Sequence, residues 1–237
     1  MDTGCVEPSG LVDFFYHAGN FLRYRKGELV LHAEDDAAFI FYVESGFMKV
    51  YSTNDRGEEC ILVVYGPGEL FPLLWLPRQA RRNVHYQTLA PCTVLRVRTE
   101  DLETALREDA ALSFEMIEHA TEQHGVFIDR INNLQYKFAR ERLVYYLLYL
   151  ARRFGKAVDG CYEIGLRISQ QVLASNINLS RESVGREMDR LERKKMIRVH
   201  RGHIVLEDVP GLIRELPGAS VSVDWWGLTE KAPRKIS

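Results

Sequence analysis

The sequence predicts an α+β chain: a β-rich N-terminal half, one long helix, and a C-terminal pair of short helices followed by a β wing. Three observations predict this order. Between about Gly27 and Val97, short apolar or alternating runs are punctuated by Gly, Pro and Asn-Asp, which is the pattern of an antiparallel sandwich or barrel. From about Leu112 to Phe154 no proline occurs and Gly125 is the only glycine, which predicts a helical stretch too long to be unbroken. Finally, Ile168 to Val209 shows two short helical periods around Asn178 and then an alternating stretch.

Composition bounds the rest. The 237 residues are 46% apolar, enough for a real core without covalent staples. Cys5, Cys60, Cys92 and Cys161 lie far apart with no metal-ligand spacing, so neither a zinc site nor an iron–sulfur cluster is expected. The N-terminal MDTGCVEPSGLVDFF has no basic region leading into an apolar run, and no eighteen-residue apolar run occurs elsewhere. The chain therefore reads as cytoplasmic, with no membrane partner. Net charge is only −2, but its distribution is uneven. Residues 1–134 carry 12 Lys+Arg against 21 Asp+Glu, and residues 135–209 carry 15 against 9. The basic segment is the candidate for touching a polyanion.

Taken in order, FIFYVESGFMKVYS, EECILVVYGPGEL and VHYQTLAPCTVLRV read as strands. Glu44-Ser45-Gly46 reads as a hairpin turn, because glycine supplies the positive φ such turns need. The long helix is expected to break near residue 136. On it Met116, Ala120, Gln123, Phe127, Arg130 and Leu134 recur at alternating four and three spacings, a partly polar heptad seam suited to a dimer helix. The same spacing also fits a helix lying on its own β domain. FGKAVDGCYE reads as a helix end and turn.

The segment from Ile168 carries the chemistry. A first helix with Val172, Leu173 and Ile177 inward ends at Asn178, which tolerates the left-handed conformation of a tight helix–helix turn. Ser180 caps a second helix. Val184, Met188 and Leu191 form its buried stripe, leaving Glu182, Gly185, Arg186 and Asp189 opposite, with Arg181 at the edge. Such a face suits the major groove: close approach at Gly185, Arg for guanine O6 and N7, Glu for cytosine N4. IRVHRGHIVLED reads as a two-stranded wing whose His200, Arg201 and His203 can meet phosphates. Enzyme signatures are missing. There is no G-x-S-x-G, no phosphate-binding G-x-x-x-x-G-K, no H-E-x-x-H, and the β half offers His32 and His85 without the His-x-His of a metal-binding cupin.

Ser180-Arg181-Glu182-Ser183-Val184-Gly185-Arg186 resembles the S-R-E-x-V-G-R recognition helix of the catabolite activator and fumarate-nitrate regulator (Crp/Fnr) family. The resemblance spans roughly residues 20 to 207. It implies an α+β chain with an N-terminal cyclic-nucleotide-binding-like β jelly roll over 1–110, a dimerisation helix over 111–136, and a winged helix-turn-helix over 137–210, leaving 211–237 as a tail. It also implies a homodimeric transcriptional regulator, not an enzyme, whose partners are double-stranded DNA and RNA polymerase. Carried over residue by residue, Arg181, Glu182 and Arg186 would read bases. Ser169, Gln170, Gln171, Ser180 and His200 would hold the phosphate backbone. Gly185 in place of serine implies palindromic TGTGA-like half-sites.

The same resemblance places an effector pocket at Gly68, Phe71, Pro72, Leu73, Leu74, Arg82, Asn83, Phe127 and Ile128. Arg82-Asn83 falls where the family keeps an Arg-Ser pair for the cyclic phosphate. Pro72-Leu73 replaces the ribose-binding Gly-Glu pair, and Phe127-Ile128 replaces the Thr-Ser pair that meets adenine. Each unpaired ligand group costs about 1–3 kcal/mol, so cyclic AMP is disfavoured. Three readings stay open: an apolar or aromatic small molecule with one acidic group for Arg82, a different nucleotide, or a filled pocket in a constitutive regulator. His85 and Cys92 are near enough to the pocket wall for haem to be considered, although a lone His beside a strand is more simply a packed residue.

Overall fold

The computed structural model describes residues 10–36, 38–55, 57–73, 83–217 and 226–228. The chain divides into two compact units, one running to Glu58 and over Leu62–Phe127, the other comprising Glu59–Ile61 and the chain from Ile128.

The first unit begins with α1 (Gly10–Ala18), which the sequence reading did not anticipate. Two side chains one turn apart, Leu11 and Phe15, are fully buried, and the Glu115 carboxylate accepts the amides of Gly10 and Leu11 at 3.1 and 2.7 Å. An anion at a helix N-terminus satisfies donors that have no partner within the helix. Eight strands follow: β1 (Asn20–Tyr24), β2 (Leu29–Leu31), β3 (Phe39–Ser45), β4 (Met48–Thr53), β5 (Glu59–Tyr65), β6 (Leu70–Phe71), β7 (His85–Thr88) and β8 (Cys92–Arg98). They form two four-stranded sheets ordered β1-β8-β3-β6 and β2-β7-β4-β5.

Period-two alternation explains how β3 and β8 are buried on both faces. Phe41, Val43, Cys92 and Val94 point between the sheets, against Met48, Val50, Val63 and Tyr86. Ile40, Leu95 and Val97 point outward, under Leu11 and Phe15 of α1 and Leu102 of α2 (Thr99–Glu108). Gly46 is a corner rather than the expected hairpin turn, because β3 and β4 belong to different sheets. Its φ is 88°, and a Cβ there would lie 2.3 Å from the Pro91 carbonyl oxygen, so only glycine fits.

Helix α3 (Ala110–Gln135) is separated from α4 (Ala139–Phe154) at the predicted break. Asp109 starts α3 by accepting the amides of Ala111 and Leu112 at 2.8 and 3.1 Å. In the second unit α4 is buried along nearly its whole length, which makes it the central helix rather than a surface one. Around it lie β9 (Gly155–Val158), β10 (Cys161–Ile164), α5 (Gln170–Ile177), α6 (Arg181–Arg193), β11 (Ile197–His200), β12 (His203–Leu206) and α7 (Val209–Arg214). The Asp159-Gly160 turn matches the expected one, but its flanking residues are strands, and the wing is part of a four-stranded sheet ordered β11-β12-β10-β9. The packed domain also runs past residue 210: Leu212, Ile213, Leu216, Trp226 and Leu228 are all buried. No helix among the described residues is long and apolar enough to cross a membrane.

Candidate nucleic-acid interface

Local sequence builds the α5–α6 pair. Ser169 accepts the Val172 amide at 3.3 Å and starts α5. Asn178 then takes φ 53°, ψ 53°, so the chain reverses without a glycine. The inward face of α5 is Leu173, Ala174, Asn176 and Ile177, and Val172 is only half-buried. Ser180 caps α6 by accepting the Ser183 amide at 3.2 Å. Val184, Met188 and Leu191 are buried as the period predicts. Each contributes about 1.5–3 kcal/mol, so α6 is held by its inner face and its charged outer face is left for a partner.

Arg181, Glu182, Arg186 and Asp189 are exposed on that face. Ser183, which the sequence reading passed over, orients it: its hydroxyl accepts from Arg186 Nη2 at 3.3 Å and lies 3.0 Å from Ser180 Oγ. Its signal was its place one turn before Arg186. The Glu182 carboxyl is held below its ordinary value first by its own backbone amide, then by Ser180, and then by Arg181 and Arg186. An ionised carboxylate accepts hydrogen bonds and donates none. Ser180 Oγ donates to Ser183 Oγ while capping the helix.

Gly185 also departs from expectation. A Cβ there would lie 3.3 Å from Gln170 Oε1 and 3.8 Å from its Nε2, so the space at the glycine holds the Gln170 carboxamide instead of standing open to a base. Ser169, Gln170, Gln171, Arg181, Val199 and Gly202 line a cleft of about 400 Å³ between α5, α6 and the wing. Glu182, Arg186, Ser180 and His200 lie outside that lining. The wing turns at Arg201 and Gly202, both at positive φ, leaving His200 and Arg201 exposed. His203 is engaged instead: Arg167 Nε donates to its Nε2 at 2.5 Å, and Glu163 lies 3.7 Å from Nδ1. Behind the interface Glu215 ties α6 to α4, bonding Lys194 and lying 3.1 Å from Arg140 Nε. Lys194 first, then Arg140, holds its carboxyl below the ordinary value.

Packing within the chain engages part of the expected dimer stripe. Met116 is buried in the cluster outside the sheets, and Gln123 is buried with its amide donating to the Leu70 carbonyl. Arg130 bonds the carbonyl and side-chain oxygens of Asn176, while Phe127 and Leu134 are half-buried and Ala120 is exposed. The outward stripe is instead Phe114, Ile117, Thr121, His124, Ile128 and Ile131, at spacings of three and four. Its apolar members are 48–61% exposed. Both stripes satisfy a heptad, and of the first Met116 and Gln123 are taken up by the chain's own core.

The described members of the expected effector set have different surroundings. Phe71 is fully buried and stacks on Phe41, Tyr86 and Tyr65 at centroid distances of 5.0, 5.2 and 5.8 Å. Pro72 is buried, Leu73 packs against the outer cluster, and Asn83 is exposed. Gly68 takes φ 91° with nothing within 4 Å of an added Cβ, so it serves the turn rather than a close approach. Ile128 is 48% exposed and lines no interior. Leu74 and Arg82 lie outside the described residues. Burial pushes the Cys92 thiol up to about 11, which disfavours the thiolate a metal would need.

Comparison with known proteins gives two domain matches: a cyclic nucleotide-binding domain over residues 21–109 and a Crp-like helix-turn-helix domain over 141–215. The chain is 26% identical over 194 residues to a global nitrogen regulator of Nostoc sp., covering 81% of this chain and 87% of that protein. It is 23% identical over 197 residues to the cAMP-activated global transcriptional regulator CRP of Haemophilus influenzae, covering 83% and 88%. FixK2 from Bradyrhizobium japonicum shares the fold with a TM-score of 0.75 and 22% identity, over 85% of this chain and 99% of that one.

Proposed function

The chain belongs to the Crp/Fnr family of transcriptional regulators, joining a cyclic nucleotide-binding domain to a Crp-like helix-turn-helix, and from that premise we propose that it binds a palindromic DNA site as a homodimer. The observation that carries this reading is the capped helix α6, with Arg181, Glu182 and Arg186 exposed opposite a fully buried stripe. Arg186 and Arg181 take guanine edges, Glu182 takes a cytosine amine, and the half-site is of the TGTGA type. Ser169, Gln170 and Gln171 at the start of α5, with His200 on the wing, hold phosphates. Two chains pair along Phe114, Ile117, Ile128 and Ile131, which sets two α6 helices about 34 Å apart, one turn of DNA. RNA polymerase is the further partner of such a dimer at a promoter.

The domain interior supports a regulator that does not depend on cyclic AMP. The stack of Phe71 with Phe41, Tyr65 and Tyr86 occupies the space between the sheets with rings that offer a cyclic phosphate no cation. Among the described residues this packing favours a filled, constitutive domain over the nucleotide and small-molecule alternatives.

A gel shift with Arg186→Ala tests the readout. The variant is expected to lose about 1–3 kcal/mol on the cognate duplex and to relax preference at one base position. Undiminished affinity and selectivity would show that α6 does not read bases through this residue.

A further inference from the structure

Trp226 lies beyond the matched helix-turn-helix domain, yet among the described residues it is the largest fully buried side chain, 1% exposed. Its ring meets Tyr145 edge to face, with centroids 5.0 Å apart, and the Arg152 guanidinium lies 5.9 Å from its centroid. Both partners are on α4, and both bind one carboxylate of α3. Tyr145 Oη donates to Asp129 Oδ1 at 3.0 Å, and Arg152 donates to Asp129 Oδ2. Asp129 itself is buried, although its neighbours Ile128 and Ile131 are 48% and 58% exposed. The indole thus covers the residues that clamp the end of α3 to α4, directly beneath the last turns of the outward stripe. Tyr136, between the two helices, packs on Tyr145 at 5.3 Å, and Asn133 Nδ2 donates to the Arg142 carbonyl at 2.7 Å. Burial and the adjacent Asp129 push the Tyr145 hydroxyl well above its ordinary range, so it stays a donor.

Two physical consequences follow. The Asp129 side of its pair with Arg152 is the sheltered one, its side chain 11% exposed against 31% for Arg152, and charge pairs strengthen as the local dielectric falls. An aromatic edge-to-face contact also fixes the ring of Tyr145, and with it the direction of the hydroxyl that Asp129 accepts. Helix α4 in turn packs against α5, α6 and α7. Any change in the angle between α3 and α4 is therefore a change in where α6 stands relative to Ile128 and Ile131.

We propose that Trp226 is a positioning residue for DNA binding: seated on Tyr145 and Arg152, it sets the α3–α4 elbow and so the separation of the two α6 helices in the dimer. This rests on the reading of α6 as the DNA-reading helix and of the outward stripe as the seam.

The test uses the full chain as wild type, Trp226→Ala, Trp226→Phe and Tyr145→Phe. Two readouts are taken: amide hydrogen exchange over residues 128–135, and affinity for duplexes whose half-sites are one turn apart or displaced by one base pair. Trp226→Ala is expected to exchange faster at 128–135, to lose about 2- to 30-fold on the one-turn site, and to discriminate less against the displaced sites. Trp226→Phe should restore most of both, and Tyr145→Phe should reproduce part of the loss with packing kept. A folded Trp226→Ala with wild-type exchange and wild-type spacing discrimination overturns the proposal. Should that variant not fold, wild-type behaviour of Tyr145→Phe in both readouts overturns it equally. If the wild-type chain selects no DNA, the reading of α6 falls separately, and unchanged exchange at 128–135 in the variants then refutes the elbow by itself.

Discussion

Gly185 and Gln170 separate stability from function at a single contact. A Cβ at 185 would lie 3.3 Å from the Gln170 Oε1, and Gln170 is exposed, so its side chain can swing away without disturbing a core. Alanine is better than glycine in a helix interior by about 0.8–1 kcal/mol. Gly185→Ala is accordingly expected to keep or raise the melting temperature while weakening DNA binding several-fold. Because the displaced amide is assigned to a phosphate, the loss should be similar across sequences, with a shallower dependence of affinity on salt. A stabilised variant with wild-type affinity and salt slope would remove Gln170 from the interface. The neighbouring trio of Ser180, Ser183 and Arg186 makes the same point from another side: two small hydroxyls fix the helix start and the direction of the guanidinium behind it.

Among elements, the placement of α6 on α4 depends on Glu215, whose side chain is 11% exposed between Lys194 and Arg140. Its folded carboxyl titrates below the ordinary 4.5, so its contribution is fully present above that value and is lost as pH falls through the depressed one. Glu215→Gln should destabilise the chain by about 1–3 kcal/mol at neutral pH, judged by denaturant unfolding. The gap from wild type should close as pH drops below 4.5. A gap independent of pH would mean that the side chain acts by shape alone. The α5–α6 pair was legible in the sequence because three local signals agree there: the apolar period of Val184, Met188 and Leu191, the cap at Ser180, and the turn at Asn178. The exposed face of α3 was not legible. Met116, Gln123 and Arg130 form as good a heptad as Phe114, Ile117, Ile128 and Ile131, and only tertiary packing decides which stripe the chain itself fills. Helix α1 and the strands β9 and β10 were not read from the sequence, and Gly46 promised a turn without saying that the next strand changes sheets.

For the molecule as a whole, the division of charge anticipated the division of labour: the segment with 15 Lys+Arg against 9 Asp+Glu folds into the unit that carries α6. The sensor unit keeps the two sheets of a nucleotide-binding domain but fills them with the Phe41, Tyr65, Phe71 and Tyr86 rings, a packing that no local sequence pattern discloses because the four residues come from four strands. On the proposed reading, DNA binding is set by the dimer and the elbow rather than by a cyclic nucleotide. Selection of bound duplexes from a random DNA pool, with purified full chain and no added nucleotide, tests that account most directly. It predicts enrichment of an inverted repeat of TGTGA-like half-sites with centres one helical turn apart, roughly 10 base pairs. Recovery of no motif, or of one that is enriched only when cyclic AMP is supplied, would contradict it.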